Sequence, residues 1–149
     1  RPMKASRRFF QIAVIAIALG YAAWMEYGPS GGSGTEIATD NSAINAAIAN
    51  RRSDTQVTGS GTVVKVLPDD NRGSRHQRFL VKLPSGNVIL IAHNIDLAPR
   101  IPDLARGDSI AFYGEFEWND KGGVVHWTHK DPGNRHPHGW LQHEGRKFW

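Results

Sequence analysis

The chain has 149 residues, a length typical of one domain with a modest hydrophobic core. It has no cysteine, which excludes disulfides, thiolate metal ligands and a cysteine nucleophile. The net charge is +4, but four of the 18 basic residues are Arg1, Lys4, Arg7 and Arg8, and the other 14 balance the 14 acidic residues. Residues 9–149 are therefore neutral overall, which argues against a broad nucleic-acid surface but not against a local basic patch.

The first 27 residues have the pattern of a targeting segment. Basic residues up to Arg8 precede an apolar run without charge that ends before Glu26, as in a secretory signal. The apolar run, residues 9–25, also reaches the short limit of about 17 residues for a membrane-spanning helix, so a retained anchor is the alternative. Both interpretations predict an exported protein, either periplasmic or anchored to the inner membrane and facing the periplasm.

A glycine- and serine-rich stretch, residues 28–38, predicts a flexible linker between this segment and a folded domain at residues 39–149. The domain begins with DNSAINAAIANRR at residues 40–52, in which Ile44, Ala47 and Ile48 follow helical spacing. We expect one short amphipathic helix there, capped by Asp40 or Ser42.

From residue 56 onward the pattern is that of β-strands separated by polar turns. Five runs have this pattern: QVTGSGTVVKVL at 56–67, HQRFLVKL at 76–83, NVILIAH at 87–93, SIAFYGEFEW at 109–118 and VVHWTH at 124–129. In the fourth run, alternation places Phe112, Gly114, Phe116 and Trp118 on one face, which reads as core. The tail predicts a last hairpin that turns at Glu144-Gly145.

Five short strands predict a mainly β fold, either a small barrel or a sandwich. Glycines at 59 and 61 suit a bent first strand, and residues 94–108 form a long connection between the third and fourth strands. Both features favour a five-stranded OB-type barrel, preceded by the short helix and the export or anchor segment. Another small β-barrel with the same number of strands is the alternative.

Several long runs resemble a known family. They are GSGTVVKVLPDDNRGSRHQRFLVKLPSGNVILIAHNIDLAP, GEFEWN, GGVVHWTHKDP and HGW, all between residues 56 and 149. They resemble DUF3465, a family of small bacterial proteins of unknown function. The resemblance implies an N-terminal export segment, and it brings with it no activity, ligand or site residue.

All seven histidines lie between His76 and His143, and four of them lie in HWTHKDPGNRHPHGW at residues 126–140. Strand alternation would place His126 and Thr128 on one side, with Trp127 and His129 on the other. A turn at Pro132-Gly133 would bring the following histidines back toward His129. The predicted metal ligands are His129, Asp131, His136 and His126, with His93 in reserve.

Neutral imidazoles with one carboxylate suit Zn²⁺, with other divalent transition metals such as Cu²⁺ or Ni²⁺ as rivals. The spacing is not that of a well-defined zinc motif. The alternative is that these histidines only hydrogen-bond to backbone and carboxylate groups in a polar loop. We expect His138 and His143 to be ordinary surface residues.

A second group is predicted at one rim of the sheet, where the third strand ends and the second begins. His76, His93 and Asp96 could form a general-base pair there, and Arg75 or Arg78 could position an anion such as a phosphodiester. This arrangement would suit a small hydrolase. The alternative is a solvated charged turn in which Asp96 caps the connection.

Aromatic residues are concentrated after residue 110. Trp127 and Trp140 have polar neighbours in sequence, so they are the candidates for a surface on which a ligand stacks. The alternative for each of them is a place in the core.

Three functions follow from these features. The first is an exported OB-like binding module whose histidine-rich C-terminal loop binds a divalent metal. The second is a small metal-assisted hydrolase of the phosphodiesterase or nuclease type, and the third is a metal-free module that binds a ligand or a protein. The expected partners are a small molecule or a protein, and a membrane if the N-terminal segment is retained; the overall charge does not favour nucleic acid.

Overall fold

A computed structural model describes residues 39–149. The predicted targeting segment, residues 1–27, and the predicted linker, residues 28–38, lie outside the described residues. The elements are α1 (Ser42–Ala49), β1 (Thr55–Asp70), β2 (His76–Lys82), β3 (Val88–Asn94), β4 (Ser109–Glu117), β5 (Val124–His126), β6 (Trp140–His143) and β7 (Arg146–Phe148). The fold is mainly β with one short helix, as predicted. No helix within residues 39–149 is long and apolar enough to cross a membrane.

Strands β1 to β5 close into a ring. The ring is possible because β1 is long: its first half pairs with β4 and its second half pairs with β2, and Thr62 takes part in both pairings. The order around the ring is β1-β2-β3-β5-β4 and back to β1. The pairing of β3 with β5 is parallel and the others are antiparallel. All five predicted strands are therefore present.

Two glycines of β1 make room for close packing inside this ring. A Cβ atom on Gly59 would lie 2.5 Å from Cζ of Phe112, and one on Gly61 would lie 2.4 Å from the carbonyl oxygen of Lys82. The neighbouring strands can approach this closely only because the glycines have no side chain.

Strand β1 extends further than the sequence predicted. It continues through Pro68 to Asp70, which pairs with His76, where a polar turn was expected. Its register shifts between Val63 and Lys65 and again between Leu67 and Asp70. These irregularities let the strand bend from one neighbour to the next.

The main core is one cluster of buried hydrophobic side chains. Its members are Ile44, Ala47, Val57, Val63, Phe79, Val81, Leu83, Ile89, Ile91, Ile101, Ile110, Phe112, Phe116, Val125, Leu141 and Phe148. The alternation predicted for β4 is confirmed, since Phe112 and Phe116 are fully buried and Trp118 packs at the margin of the cluster.

Helix α1 contributes Ile44 and Ala47 to the core, and it is shorter than predicted at both ends. Asn41 occupies the N-cap position, where Asp40 or Ser42 was expected. The Asn41 amide instead bonds to β1: its Nδ2 donates to the Ser60 carbonyl at 3.0 Å and its Oδ1 accepts the Ser60 amide at 2.7 Å. These two bonds hold the start of the helix on the ring.

Two buried polar side chains hold the connection between β3 and β4. Gln77 and His93 are partners in the β2–β3 register, and both are almost fully buried. The Gln77 amide exchanges two hydrogen bonds of 2.9 Å with the backbone of Ile101. His93 Nε2 donates to the Pro99 carbonyl at 2.9 Å, and Nδ1 lies 2.8 Å from the Thr128 hydroxyl.

The predicted last hairpin is confirmed. Strands β6 and β7 pair, and the turn between them consists of Glu144 and Gly145 with φ angles of 50° and 76°. Two successive positive φ angles are typical of the type I′ turn that suits a two-residue hairpin.

His93 makes the stability of the fold depend on pH. Burial lowers the pKa of His93 from 6.5 to about 4. The unfolded chain therefore binds a proton between these values while the folded protein does not, so stability is full above pH 6.5 and falls as the pH drops to 4. His93 alone should lower the free energy of unfolding by about 3 kcal/mol across this range. Denaturant unfolding at a series of pH values should show a smaller slope for His93→Gln, and equal slopes would contradict the assignment.

Candidate functional site

Two strands, β5 and β6, pair with the same edge of β4. Residues Glu115 to Glu117 pair with β5, whereas Ala111 to Tyr113 pair with β6. Gly114 lies between the two pairings, and a Cβ there would be 2.5 Å from the His126 carbonyl oxygen. The chain therefore leaves β4 after His126 and returns to it at Trp140. We call the intervening residues 127–139 the histidine loop.

The histidine loop begins with a strained residue. Trp127 has a φ of 55°, a left-handed conformation that a bulky side chain rarely adopts. This conformation ends β5 at His126 and breaks the strand alternation. Thr128 turns inward to His93, while His126 faces the outer side of β4 with Glu115. The prediction that His126 and Thr128 share a face is therefore wrong.

Asp131 organises the loop. Its carboxylate accepts three backbone N–H groups, from Gly133 at 2.9 Å, Arg135 at 2.8 Å and His136 at 2.9 Å. These hydrogen bonds lower the pKa of Asp131 to about 2. The base of the loop is closed by a 2.9 Å bond from the Gly139 amide to the His129 carbonyl. Asp131 thus fixes where His136 lies.

The two histidines expected at the surface differ. His138 is exposed, as predicted, and its two ring nitrogens bond within the loop, to the Asp131 amide and to the Asn134 side chain. His143 is 5% exposed, and its Nε2 lies 2.9 Å from Oδ2 of Asp108. The prediction for His143 is wrong, because β6 places the imidazole of His143 on its inner face, against this carboxylate.

Glu115, Glu117 and His126 form a group with the spacing of metal ligands, which we call the carboxylate–histidine cluster. One ligand atom from each residue lies within 4.8 Å of the other two. The sheet brings them together: alternation puts both glutamates on the outer face of β4, and His126 is the β5 partner of Glu115.

The His126 side chain lies within ion-pair distance of both carboxylates but forms a hydrogen bond with neither. Its Nε2 is 3.5 Å from Oε2 of Glu115 and 3.7 Å from Oε1 of Glu117. This nitrogen is buried and has no hydrogen-bond partner within residues 39–149. A buried polar atom without a partner is costly and uncommon. Ligand atoms about 3.3–3.5 Å apart are what a tetrahedral zinc ion with bonds near 2.0–2.1 Å requires.

A third carboxylate lies beside the cluster. A side-chain hydrogen bond to Glu117, together with the charge of Glu117, raises the pKa of Asp54. Burial tends to raise the pKa of Glu117, but the hydrogen bond with Asp54 and the positive charge that His126 can carry outweigh it, so that the pKa of Glu117 is lowered. Asp54 therefore holds a proton more tightly than usual while Glu117 stays ionised. The local charge favours a cation.

His136 approaches the same group from the histidine loop. Its Nε2 is 3.4 Å from Oε2 of Glu115, and its ring stacks on Trp127 with centroids 4.0 Å apart and planes 15° apart. Its Nδ1 lies 3.0 Å from the Pro137 carbonyl, which can only accept. Nδ1 therefore carries the proton, and in the neutral ring the lone pair of Nε2 points toward Glu115. Metal-binding histidines commonly have this second bond.

The other two predicted metal ligands lie outside the cluster. Both oxygens of Asp131 accept backbone N–H groups, as described above. The His129 ring lies 5.1 Å from the Trp127 ring, and its Nδ1 lies 2.7 Å from the Lys130 carbonyl. Burial lowers the pKa of His129, so this ring is neutral near pH 7. Of the four predicted ligands, His126 is in the cluster and His136 is adjacent to it.

The predicted general-base group is brought together only in part. Arg75 and Asp96 do meet at the rim: the Asp96 carboxylate accepts the Arg75 side chain at 2.8 Å and the Arg75 amide at 2.9 Å. His76 lies beside them on the outer face, with Nδ1 2.9 Å from the Ser74 carbonyl. His93 points into the core, since it is the register partner of buried Gln77.

The side chain of Arg78 is also engaged. Its guanidinium donates two hydrogen bonds, of 3.0 and 2.7 Å, to the Pro68 carbonyl. Both contacts join β2 to the end of β1, so Arg78 has a structural contact at the position predicted to bind an anion.

The two candidate stacking residues have different surroundings. Trp127 is covered by the imidazoles of His129 and His136. Trp140 lies on the outer face of β6, where its ring is 6.3 Å from Tyr113 and has the Lys147 ammonium 4.6 Å from its centroid.

Sequence reasoning missed Glu115 and Glu117, although a signal for them exists. Alternation along β4 puts both on the face opposite Phe116. The turn at residues 119–123 fixes the β4–β5 register, which pairs Glu117 with Val124 and Glu115 with His126. Extending the hairpin register from the turn would have placed a histidine opposite a glutamate.

The family described as "Protein of unknown function (DUF3465)" matches residues 30–149. The chain belongs to this family. A comparison with curated proteins finds no match. The DUF3465 membership confirms the resemblance, and the site must be interpreted from its own geometry.

Gly139 holds the histidine loop against β4 and should not tolerate a side chain. A Cβ at this position would lie 1.8 Å from the Trp127 carbonyl and 2.7 Å from that of Tyr113. We expect Gly139→Ala to lower the free energy of unfolding by at least about 3 kcal/mol. The matched control is Gly133→Ala in the same loop, where the Cβ would meet only the flexible Arg135 side chain. Equal losses in denaturant unfolding would contradict this account.

Proposed function

We propose that this DUF3465 protein is an OB-type module that binds a divalent metal ion through Glu115, Glu117 and His126. His136 lies beside the site, with its Nε2 3.4 Å from Oε2 of Glu115. Two residues of the sequence-based metal prediction, His126 and His136, remain in this proposal. The two glutamates of β4 take the place of His129 and Asp131.

The ring of five strands supports the OB-type interpretation. A small barrel of this type closes through one long strand whose two halves pair with different strands, and β1 pairs with β4 through its first half and with β2 through its second. The long connection between β3 and β4, which Gln77 and His93 hold, is the second feature expected of it.

The observation that carries the metal proposal is the environment of His126 Nε2. This buried nitrogen has no hydrogen-bond partner in the described part of the chain and lies 3.5 and 3.7 Å from two carboxylates. A cation between these three atoms would satisfy all of them at once. One imidazole with two carboxylates suits Zn²⁺ or another first-row divalent ion.

A metal-assisted hydrolase is the second candidate function. Three protein ligands with an open fourth position are typical of catalytic zinc, whereas structural zinc has four. The three side chains retain exposed fractions of 17%, 13% and 31%, so the cluster lies close to the protein surface. Zinc-dependent release of nitrophenol from bis(p-nitrophenyl) phosphate, lost in Glu117→Gln, would support this candidate.

We also propose that the protein is exported, and that it is either released to the periplasm or anchored in the inner membrane. The support is the basic and apolar pattern of residues 1–27, which lie outside the described residues. The partner that the module binds through its metal is then a small molecule or protein of that compartment.

Calorimetric titration of Zn²⁺ into the full chain, purified without a polyhistidine tag, tests the metal site. We expect one equivalent to bind, and Glu117→Gln or His126→Gln to weaken binding at least about tenfold. Loss of a residue that only orients a metal ligand already lowers metal affinity by about this factor, and loss of the ligand itself should lower it at least as much. Affinity should fall as the pH is lowered, since the ligands must be deprotonated.

The matched control is Glu144→Gln, the same substitution in the exposed turn of the last hairpin, which should leave zinc binding unchanged. His129→Gln separates the proposal from the sequence-based one. If His129→Gln weakens zinc binding and Glu117→Gln does not, the ligands are those of the histidine loop and this proposal fails.

A further inference from the structure

A strip of alternating aromatic and basic side chains lies on the outer face of β4, β6 and β7. Its members are Tyr113, Trp140, Lys147, Trp149 and Lys130, and we call it the aromatic–lysine strip. Register and burial place it: Tyr113 pairs with Trp140, while the neighbouring pair Leu141 and Phe148 is buried. Alternation then puts Trp140, Lys147 and Trp149 on the outer side.

Each lysine of the strip lies over an aromatic ring. The Lys147 ammonium is 4.6 Å from the Trp140 centroid and 5.3 Å from that of Trp149. The Lys130 ammonium, from the histidine loop, is 4.2 Å from the Trp149 centroid. Positive charge and ring faces are therefore presented at the same place.

The charge of the strip is not neutralised within residues 39–149. No carboxylate of this part of the chain forms an ion pair with Lys130, Lys147 or the neighbouring Arg146. Their contacts with the rings are worth only about 0.5–1 kcal/mol each at exposed positions, so an anionic ligand could readily displace them. The neutral balance of residues 9–149 conceals this local excess.

We propose that the aromatic–lysine strip binds single-stranded nucleic acid. Such a ligand repeats one planar base and one anionic phosphate per unit, and proteins bind it without sequence preference by combining stacking rings with a basic track. The strip supplies three rings and two lysines on one continuous surface. Duplex DNA suits it less, because paired bases are not free to stack on side chains.

A membrane surface fits the strip less well. Insertion needs a protruding apolar area, but Phe148 is 3% exposed and Trp140 is half-buried. Trp149, at 40%, is the only ring of the strip that is largely open. Partly buried rings with ammonium groups 4.2–5.3 Å from their centroids suit a ligand that lies across the surface.

The strip adjoins the carboxylate–histidine cluster. Tyr113 and Glu115 are successive outer-face residues of β4, so a strand bound on the strip would pass beside the proposed metal ion. The nucleic-acid proposal does not depend on that ion, since none of its five residues belongs to the cluster.

Fluorescence anisotropy of a labelled single-stranded oligothymidylate tests the proposal, with the full chain in EDTA at low and moderate salt. We expect Lys147→Gln to weaken binding and to reduce the salt slope by about 0.7, and Trp149→Ala to weaken it roughly fivefold to hundredfold. Lys121→Gln, in the turn between β4 and β5, is the matched control and should match the wild type. All variants share the basic N-terminal residues, so differences between them report on the strip.

Three outcomes would overturn the proposal. They are an affinity that none of the strip variants changes, equal binding of a duplex of the same sequence, and tighter binding of heparin or of phosphatidylglycerol vesicles than of the oligonucleotide. The last result would assign the strip to an acidic glycan or to a membrane. Because EDTA is present throughout, failure here leaves the metal proposal untouched, and failure of zinc binding leaves this one intact.

Discussion

The close backbone approach along one edge of β4 is the constraint on which the rest of the site depends. Strands β5 and β6 must both pair with this edge, and Gly114 and Gly139 are the points where no side chain fits between them. The chain between these strands must therefore form a loop that starts after His126, opposite Glu115, and ends before Trp140, opposite Tyr113. The sheet thus sets the two ends of the loop, and the hydrogen bonds of Asp131 within the loop set the position of His136 beside Glu115.

Electrostatics then determines what this geometry can do. Asp54, Glu115 and Glu117 lie close together, and the hydrogen bond between Asp54 and Glu117 raises the pKa of Asp54 and helps to lower that of Glu117. The imidazoles nearby are held by bonds from Nδ1 to backbone carbonyls, as in His136, so that Nε2 is left for other contacts. The outer face therefore places carboxylates beside a buried imidazole nitrogen, Nε2 of His126, that has no hydrogen-bond partner within residues 39–149.

Much of the fold could be predicted because it depends on local patterns. Alternation identified the core face of β4, and Glu144-Gly145 identified the last turn. The site was predicted less well. His126 and His136, predicted from residue type, lie in or beside the carboxylate–histidine cluster, whereas the carboxylate of Asp131 accepts three backbone amides away from it. The left-handed conformation of Trp127 puts His126 and Thr128 on opposite faces, whereas strand alternation predicts the same face for both.

The same hairpin that carries the aromatic–lysine strip ends the sheet. Within residues 39–149 no strand pairs with the outer edge of β7, so its backbone groups there are available to a strand from another molecule. Two successive charged residues, Arg146 and Lys147, stand on this short strand. If two copies met edge to edge at β7, these charges would repel each other. The two cations therefore disfavour aggregation through the unpaired edge of β7.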